Sequence, residues 1–105
     1  MTKKADWARV FGSKERVEWV KQLNCVACGT TPCENAHVRN GGTGRKADAK
    51  WIVPACARCH RLGSISMHNG IKTFQAHWKI DLTEKAAQTE ERWQRVLKGE
   101  VDLGF

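Results

Sequence analysis

Two Cys-x-x-Cys pairs are the residues of this 105-residue chain whose spacing most clearly indicates chemistry. The pairs are Cys25/Cys28 and Cys56/Cys59. Thiolates at this spacing bind Zn²⁺, and two such pairs supply the four ligands of one tetrahedral site. Because this site would join segments that are distant in sequence, we expect a structural zinc at the centre of the fold. Loss of the metal should then loosen or unfold that centre.

The predicted cellular location also favours a metal site at the paired cysteines. The first residues contain no apolar signal segment, and no stretch approaches the roughly 20 apolar residues needed to span a membrane, so we predict a cytoplasmic protein without membrane contact. In that reducing compartment, paired cysteines indicate a metal site rather than disulfides.

Cys33 is left over, because one tetrahedral site has no vacancy for it. We expect it to be a small buried apolar residue or an exposed thiol.

Three of the four histidines lie close to these cysteines in the sequence. His37 lies between the two pairs, His60 directly follows Cys59, and His68 comes shortly afterwards. A neutral imidazole can accept a proton as a general base, and His37 is placed for that role at the end of a strand. Each also has a structural alternative: a hydrogen-bonded core residue for His37, support of the Cys59 thiolate for His60, and a surface position for His68.

The charge of the chain is unevenly distributed. The formal net charge is +7, and residues 1–82 carry 14 Lys and Arg against 6 Asp and Glu. A basic surface of this kind favours a polyanionic partner, most simply the backbone of a nucleic acid. The alternative is that the positive charge only keeps a small domain in solution.

Short elements are predicted around the first cysteine pair. Ser13 is the expected N-cap of a helix that ends near Asn24. Two short strands are predicted at residues 33–38 and 51–54. The segment between them, 39–46, is predicted to be a flexible basic loop, because it is rich in glycine and has no apolar anchor.

The second half of the chain is predicted to be largely helical. A helix should begin near Cys59, although its continuity through residues 63–66 is doubtful. A last helix is predicted over residues 84–98, with Thr83 as its N-cap and Gly99 just past its end. Its inward-facing residues are predicted to be Ala86, Trp93, Val96 and Leu97.

Four motifs follow one another in the middle of the chain. They are Cys25-x-x-Cys28-Gly29, Ala36-His37-Val38-Arg39, Gly41-Gly42-x-Gly44-x-Lys46-x-Asp48, and Val53-Pro54-x-Cys56-x-x-Cys59-His60, and His68 comes after them. In this order they resemble the HNH, or ββα-metal, endonucleases, particularly small phage and prophage members with zinc knuckles. Some of these cut DNA with the help of a recombinase. The resemblance covers about residues 25–82.

The resemblance implies a fold, and the fold class is α+β. A zinc-stapled ββα-metal core would occupy residues 25–70, with a leading segment and helix at 1–24 and C-terminal helices at 71–105. We expect these parts to form a single domain, because the sequence contains no interdomain linker and no repeat.

The resemblance also implies an activity, the metal-dependent hydrolysis of DNA phosphodiester bonds. His37 would be the general base, and His60 and His68 would bind one catalytic divalent ion, separate from the zinc. Imidazole ligands suit Mn²⁺, Ni²⁺, Co²⁺ or Zn²⁺ at least as well as Mg²⁺. The partners would be DNA and a recombinase filament or another recombination protein, in phage or mobile-element recombination or in restriction.

Two positions depart from the family pattern. Ala36 stands where many members have a metal-binding residue, so the ion would rely on His60, His68 and water, with Asp48 as a carboxylate ligand or a loop-fixing residue. His60 and His68 are also eight residues apart, about 12 Å along an uninterrupted helix and too far for one ion at about 2.1 Å per bond. Either residues 63–66 bulge out and bring His68 back, which we favour, or His68 is not a ligand.

The basic loop has a predicted role in binding the DNA backbone. Its backbone N–H groups and cationic side chains can contact phosphates, and its glycines allow close approach. The residues expected to do this are Arg39, Gly42, Gly44, Arg45 and Lys46. The alternative is a connector without function. For the whole chain, the alternatives to a nuclease are a non-catalytic zinc module that binds nucleic acid or docks on a protein, and an inhibitor built on a decayed nuclease scaffold.

Overall fold

The computed structural model describes residues 4–38 and 48–99. These residues form α1 (Lys4–Phe11), α2 (Lys14–Lys21), β1 (Glu34–His37), a 3₁₀ turn (Ala49–Trp51), β2 (Ile52–Ala55), a π-helical turn (Arg58–Leu62), α3 (Ile71–Trp78) and α4 (Leu82–Leu97). The arrangement is α+β, as predicted, with one two-stranded sheet in the described part of the chain. Within that part, none of the helices combines the length and the apolar character that crossing a membrane requires.

The two strands form an antiparallel hairpin close to the predicted positions. The paired residues are Glu34 with Ala55, Asn35 with Pro54, Ala36 with Val53, and His37 with Ile52. Because side chains alternate along a strand, Glu34 and Ala36 share one face of the hairpin, and Asn35 and His37 share the other. The Asn35 side chain donates a hydrogen bond of 3.2 Å to the carbonyl oxygen of Val17, which ties the second face to α2.

The hydrophobic core has two clusters, one on each side of the hairpin. The larger cluster surrounds the cysteines and includes Ala36, Val53, Ala55, Met67, Phe74, Leu82 and Ala86. The smaller cluster joins α2, β2 and α4 through Trp19, Val20, Leu23, Ile52 and Trp93. Each large apolar side chain buried in these clusters contributes roughly 1.5–3 kcal/mol. The hairpin therefore lies between a cluster formed with α2 and α4 and a cluster formed by the cysteine segments together with α3 and the start of α4.

Helix α2 begins as predicted and carries a buried charge. The Ser13 hydroxyl accepts a hydrogen bond of 3.1 Å from the backbone N–H of Arg16. The Arg16 residue is only 2% exposed, and its Nη2 lies 2.9 Å from Glu90 Oε1 on α4. A buried guanidinium needs such a partner, because transfer of an unpaired charge out of water is costly.

The predicted cap of the last helix is wrong, although the predicted end is confirmed. The Asp81 carboxylate accepts a 3.2 Å hydrogen bond from the backbone N–H of Glu84, so α4 starts at Leu82. Thr83 therefore lies inside the first turn. An aspartate two residues earlier already satisfies the first backbone N–H groups, which leaves Thr83 no capping role. Gly99 has a φ of +74°, the left-handed conformation expected just after a helix.

Two further differences concern exposure and an unpredicted helix. Leu97 is 61% exposed rather than buried, because the last turn of α4 extends past the core and only Val96 reaches the smaller cluster. Thr89 is buried instead, and its hydroxyl donates to the carbonyl oxygen of Lys85 at 2.8 Å. Helix α1 has no counterpart in the sequence predictions, which start the first helix after Ser13.

The Arg16–Glu90 pair gives a test of the packing between α2 and α4. We expect Glu90→Ala to lower the free energy of unfolding by about 2 kcal/mol, less than the 3–5 kcal/mol of a fully buried pair because water reaches Glu90. Glu91→Ala is the matched control, since Glu91 is exposed and pairs only along the helix with Arg95; it should cost no more than about 0.5 kcal/mol. Urea unfolding followed by tryptophan fluorescence measures both. Equal effects of the two substitutions would contradict the assignment.

Candidate functional site

The four paired cysteines meet at one point of the fold. The Sγ atoms of Cys25, Cys28, Cys56 and Cys59 all lie within 4.8 Å of one another. Thiolates around a tetrahedral Zn²⁺ at about 2.3 Å have Sγ–Sγ separations of about 3.8 Å, and the Cys28 and Cys56 sulfurs are 3.6 Å apart. The donor set and its spacing therefore fit one metal ion.

The first cysteine pair lies in a tight turn after α2. The backbone N–H of Cys25 donates to the Thr30 carbonyl at 2.9 Å, and the N–H of Gly29 donates back to the Cys25 carbonyl at 3.0 Å. Gly29 has a φ of +78°, which a residue with a side chain adopts only with strain. The Val26 N–H donates to the Pro54 carbonyl at 3.0 Å, so the turn is fastened directly to β2.

The second pair comes from the end of β2 and the π-helical turn. Cys56 follows the strand directly, and Cys59 lies inside the turn. The backbone N–H of His60 donates to the Cys56 carbonyl at 2.8 Å, which starts the helical turn at the metal site. Cys28 is the exposed corner of the cluster, whereas the other three cysteines are buried.

The surroundings of the thiols affect their ionisation in different directions. Hydrogen bonds from the side chain and the backbone of Thr30 lower the pKa of the Cys28 thiol to about 6. Burial raises the pKa of Cys56 and of Cys59. Buried thiolates close to one another need a compensating positive charge, which a bound divalent cation supplies.

Cys33 lies outside the cluster, as expected, and its burial agrees with one of the two alternatives that the sequence left open. It is buried, and its Sγ donates a 3.4 Å hydrogen bond to the Thr30 carbonyl. Burial raises the pKa of the Cys33 thiol to about 12. The residue is therefore a protonated thiol packed beside the four-cysteine cluster and not part of it.

The structure brings His60 and His68 together. Their ring centroids are 4.5 Å apart in an edge-to-face arrangement, and the His68 N–H donates to the His60 carbonyl at 3.0 Å. The π-helical turn is closed by a 2.8 Å bond from Gly63 N–H to the Arg58 carbonyl, after which the chain leaves the helix. A Cβ at Gly63 would lie 2.9 Å from that carbonyl oxygen, so the turn needs glycine. Residues 63–66 thus fold out and return, although a shared metal ion remains a prediction.

Glu34 joins this histidine pair to the hairpin, and the sequence analysis missed it. Its Oε1 lies 2.8 Å from His60 Nδ1, and its two oxygens accept hydrogen bonds from Arg61. Hydrogen bonds from Arg61, followed by that from His60, lower the pKa of Glu34 to about 2 despite partial burial. Burial lowers the pKa of His60, although the carboxylate opposes that shift. The available signal was strand alternation, since Glu34 is two residues before Ala36.

His37 is held by helix α1. Its Nε2 lies 2.8 Å from the Val10 carbonyl oxygen, and its ring makes an edge contact with Phe11 at a centroid distance of 5.6 Å. A carbonyl oxygen only accepts, so Nε2 carries the proton and Nδ1 is the basic nitrogen of the neutral ring. This contact is that of a hydrogen-bonded structural histidine and would also orient a general base. Strand alternation puts His37 on the face of the hairpin opposite to Glu34, which contacts His60, so the catalytic role stays a prediction.

The remaining predicted residues are not brought to the histidine pair by any described contact. Asp48 Oδ1 lies 2.9 Å from Arg9 Nη1, and its role as a metal ligand stays a prediction. Ala36 is fully buried and offers no donor atom. Across residues 4–38 and 48–99, only the four cysteines form a group of three or more potential ligands. The loop residues Arg39, Gly42, Gly44, Arg45 and Lys46 lie outside the described residues.

Comparison of the chain with protein-family models, with curated proteins and with solved structures finds no match. Relatives therefore supply no assignment of function. What can be said about function depends on the four-cysteine cluster, on the pair formed by His60 and His68, and on the placement of Glu34 and His37.

The four-cysteine cluster is tested by its metal content. We expect purified protein to contain one tightly bound divalent metal per chain, and Cys28→Ser to lose most of it, because a hydroxyl is a poor replacement for a thiolate ligand. Cys33→Ser is the matched control: it also removes a thiol, but the serine hydroxyl can still donate to the Thr30 carbonyl. Elemental analysis, together with the charge-transfer absorption of Co²⁺-substituted protein, measures both. Metal loss in Cys33→Ser and not in Cys28→Ser would refute the ligand assignment.

Proposed function

We propose that this chain is a metal-dependent HNH endonuclease that hydrolyses DNA phosphodiester bonds, built on a structural zinc site. The observation that carries the proposal is the close approach of His60 and His68, whose ring centroids are 4.5 Å apart. The turn that supplies His60 also supplies Cys59 to the four-cysteine cluster. A hairpin followed by a helical turn, with two imidazoles beside it, supports the proposal, and the helix of a ββα-metal core would here be reduced to the five-residue π-helical turn Arg58–Leu62.

Zinc is the metal we propose for the four cysteines. Four thiolate ligands at tetrahedral spacing select a soft, four-coordinate ion, and closed sites of this composition are typical of structural zinc. In a cytoplasmic setting the thiols remain reduced and available for the metal. Zinc bound there stabilises the fold and has no open position for substrate, so a second ion is needed for hydrolysis.

His60 and His68 are the residues we propose to hold the catalytic ion. Two imidazole nitrogens leave several coordination positions for water and phosphate oxygens, which is compatible with Mn²⁺, Ni²⁺, Co²⁺, Zn²⁺ or Mg²⁺. A divalent ion at this position would polarise the phosphate and stabilise the departing 3′ oxygen. Ala36 provides no ligand, so solvent and substrate would fill the position that a metal-binding residue occupies in many related enzymes.

His37 is the proposed general base. The Val10 carbonyl holds the Nε2 proton, so Nδ1 can accept a proton from the attacking water. The same carbonyl stabilises the imidazolium that results, because the hydrogen bond strengthens when the ring becomes charged. The contact with Phe11 restricts the orientation of the ring. The backbone of α1 would thus orient the base, as a carboxylate does in other enzymes.

The proposed substrate follows from the charge of the chain. The excess of Lys and Arg lies in residues 1–82, the part that contains all of the predicted site residues. A DNA backbone bound there releases its counterions, which favours binding with little dependence on sequence. We place the activity in phage or mobile-element recombination or restriction, with a recombinase filament or another recombination protein as a partner that directs the enzyme to its site.

A non-catalytic zinc module that binds nucleic acid is the second candidate. It is favoured by the burial of Ala36, which provides no ligand, and by the lack of a second group of three potential ligands among the described residues. On this alternative, the His37 hydrogen bond to Val10 serves only to hold α1 against the hairpin. The two candidates share the zinc site and differ in hydrolysis.

Plasmid cleavage distinguishes these candidates. Zinc-loaded protein incubated with supercoiled plasmid and Mg²⁺ or Mn²⁺ should nick the DNA, and His37→Ala should reduce the rate by about 10²- to 10⁴-fold, the usual contribution of a general base. His77→Ala is the matched control, because His77 is an exposed histidine on α3, and it should nick at the wild-type rate. Gel electrophoresis measures all three.

The same variants separate loss of chemistry from loss of fold. His37→Ala should keep its zinc, whereas Cys56→Ser should lose zinc and soluble fold together. Equal nicking by wild type and His37→Ala would remove His37 from the mechanism. DNA binding without nicking in every metal tested would instead favour the non-catalytic module.

A further inference from the structure

Glu34 lies where the hairpin meets the π-helical turn, and its carboxylate is fixed by donors on that turn. Oε1 is 2.8 Å from His60 Nδ1 and accepts from Arg61 Nε at 3.0 Å, while Oε2 accepts from Arg61 Nη2 at 2.7 Å. The carboxylate is about one third exposed and the His60 side chain only 15% exposed. This is a closely fitted contact between two elements rather than a chance surface pair.

The contact determines which nitrogen of His60 carries the proton. An ionised carboxylate has no hydrogen to donate, so Nδ1 must be the donor. A neutral imidazole has only one ring proton, and Nε2 therefore keeps its lone pair. Imidazoles that bind metals commonly give their other N–H to a carboxylate, which fixes the ring and raises its basicity as a ligand. Neither oxygen of Glu34 needs to contact an ion for this effect.

We propose that Glu34 is a positioning residue that holds His60 as its Nδ1–H tautomer and presents Nε2 to a divalent ion shared with His68. This inference rests on the proposed function, because it assumes an ion at the histidine pair. Strand alternation places Glu34 on the same face of the hairpin as Ala36. The hairpin thus contributes to the site through Glu34, which orients the ligand His60, whereas Ala36 on the same face has no atom that could bind the ion.

Arg61 has a different role from Glu34 in this arrangement. Its guanidinium holds the carboxylate through a two-pronged pair, and its side chain is 47% exposed. Water can replace part of that interaction, so the loss of Arg61 should leave the shorter bond from His60 to Glu34 in place. Arg61→Ala is therefore a matched control: it breaks the ion pair and keeps the hydrogen bond that determines the tautomer.

The tautomer of His60 can be read without a second metal and without DNA. Long-range ¹H–¹⁵N spectra of the full chain, loaded with zinc and kept at neutral pH or above, distinguish Nδ1–H from Nε2–H. We expect Nδ1–H in the wild type, in Arg61→Ala and in Glu34→Gln, because the glutamine oxygen still accepts the bond. Glu34→Ala should shift the ring towards Nε2–H, the form that free imidazole side chains prefer in water. If Glu34→Ala fails to fold with zinc, Glu34→Asp serves instead, since its carboxylate is too short to reach Nδ1.

Binding of Mn²⁺ to the same zinc-loaded proteins gives the second measurement. Calorimetric titration should show one site beyond the zinc in the wild type, weakened about 10- to 100-fold in Glu34→Ala. Glu34→Gln should recover most of the affinity, and Arg61→Ala should remain close to the wild type. A merely structural role for Glu34 would give a different pattern. Arg61→Ala would then weaken Mn²⁺ binding as much as Glu34→Ala does, and Glu34→Gln would not restore it.

The outcomes separate this inference from the function on which it rests. A wild type that nicks DNA and binds Mn²⁺, with Glu34→Ala unchanged in affinity or tautomer, overturns the positioning role and leaves the nuclease proposal intact. An Nε2–H tautomer in the wild type also overturns the positioning role alone. A wild type that neither nicks DNA nor binds a second ion overturns the nuclease proposal, and with it the assignment of Nε2 as a ligand atom.

Discussion

The convergence of four thiols is the constraint on which the rest of the structure depends. It joins a turn after α2 to the end of β2. A backbone hydrogen bond from Val26 to Pro54 connects the same two segments, and one from His60 to Cys56 closes the start of the π-helical turn. A chain of this size buries only about two thirds of its unfolded surface, so a metal ion bound by these thiols would add to a limited hydrophobic core. The hairpin and the π-helical turn take their relative position from it. His60 directly follows Cys59, and Glu34 on β1 contacts it, so the histidine pair lies where the turn meets the hairpin.

Local chemistry made part of this arrangement predictable. The Cys-x-x-Cys spacing, the Ser13 cap and the glycine after the last helix are short-range signals. The four cysteines meet at one point, Ser13 caps α2, and Gly99 adopts the left-handed conformation after α4. The hairpin was predictable because a glycine-rich segment separates two short stretches, of which the second contains the β-branched residues Ile52 and Val53. That Cys33 stands apart from the four ligands could be anticipated because a tetrahedral site has no vacancy for a fifth thiol, whereas its burial was one of two open alternatives.

Other features depend on contacts between distant segments, and sequence patterns do not reveal them. Helix α1 places its Val10 carbonyl against His37, a contact set by tertiary packing. Glu34 looks like an ordinary exposed strand residue until the π-helical turn brings His60 and Arg61 to it. The cap of α4 is a local matter by contrast: Thr83 is a reasonable cap by residue type, but Asp81, two residues earlier, caps the helix instead. For His37 and Glu34, contacts with distant segments set the surroundings of the side chain, and the local pattern carries no trace of them.

The closure at Gly63 has a consequence for how such sites are recognised in other chains. His68 is anchored to His60 by a backbone bond, and Met67 is anchored to Cys59 in the same way. The intervening residues therefore form a small closed excursion whose length is independent of the helical repeat. Insertions or deletions there can change the number of residues between the two histidines while the rings stay in register. A sequence pattern with a fixed number of residues between the two histidines would miss such chains. A pattern that requires glycine at the end of the turn and allows a variable number of residues would find these chains.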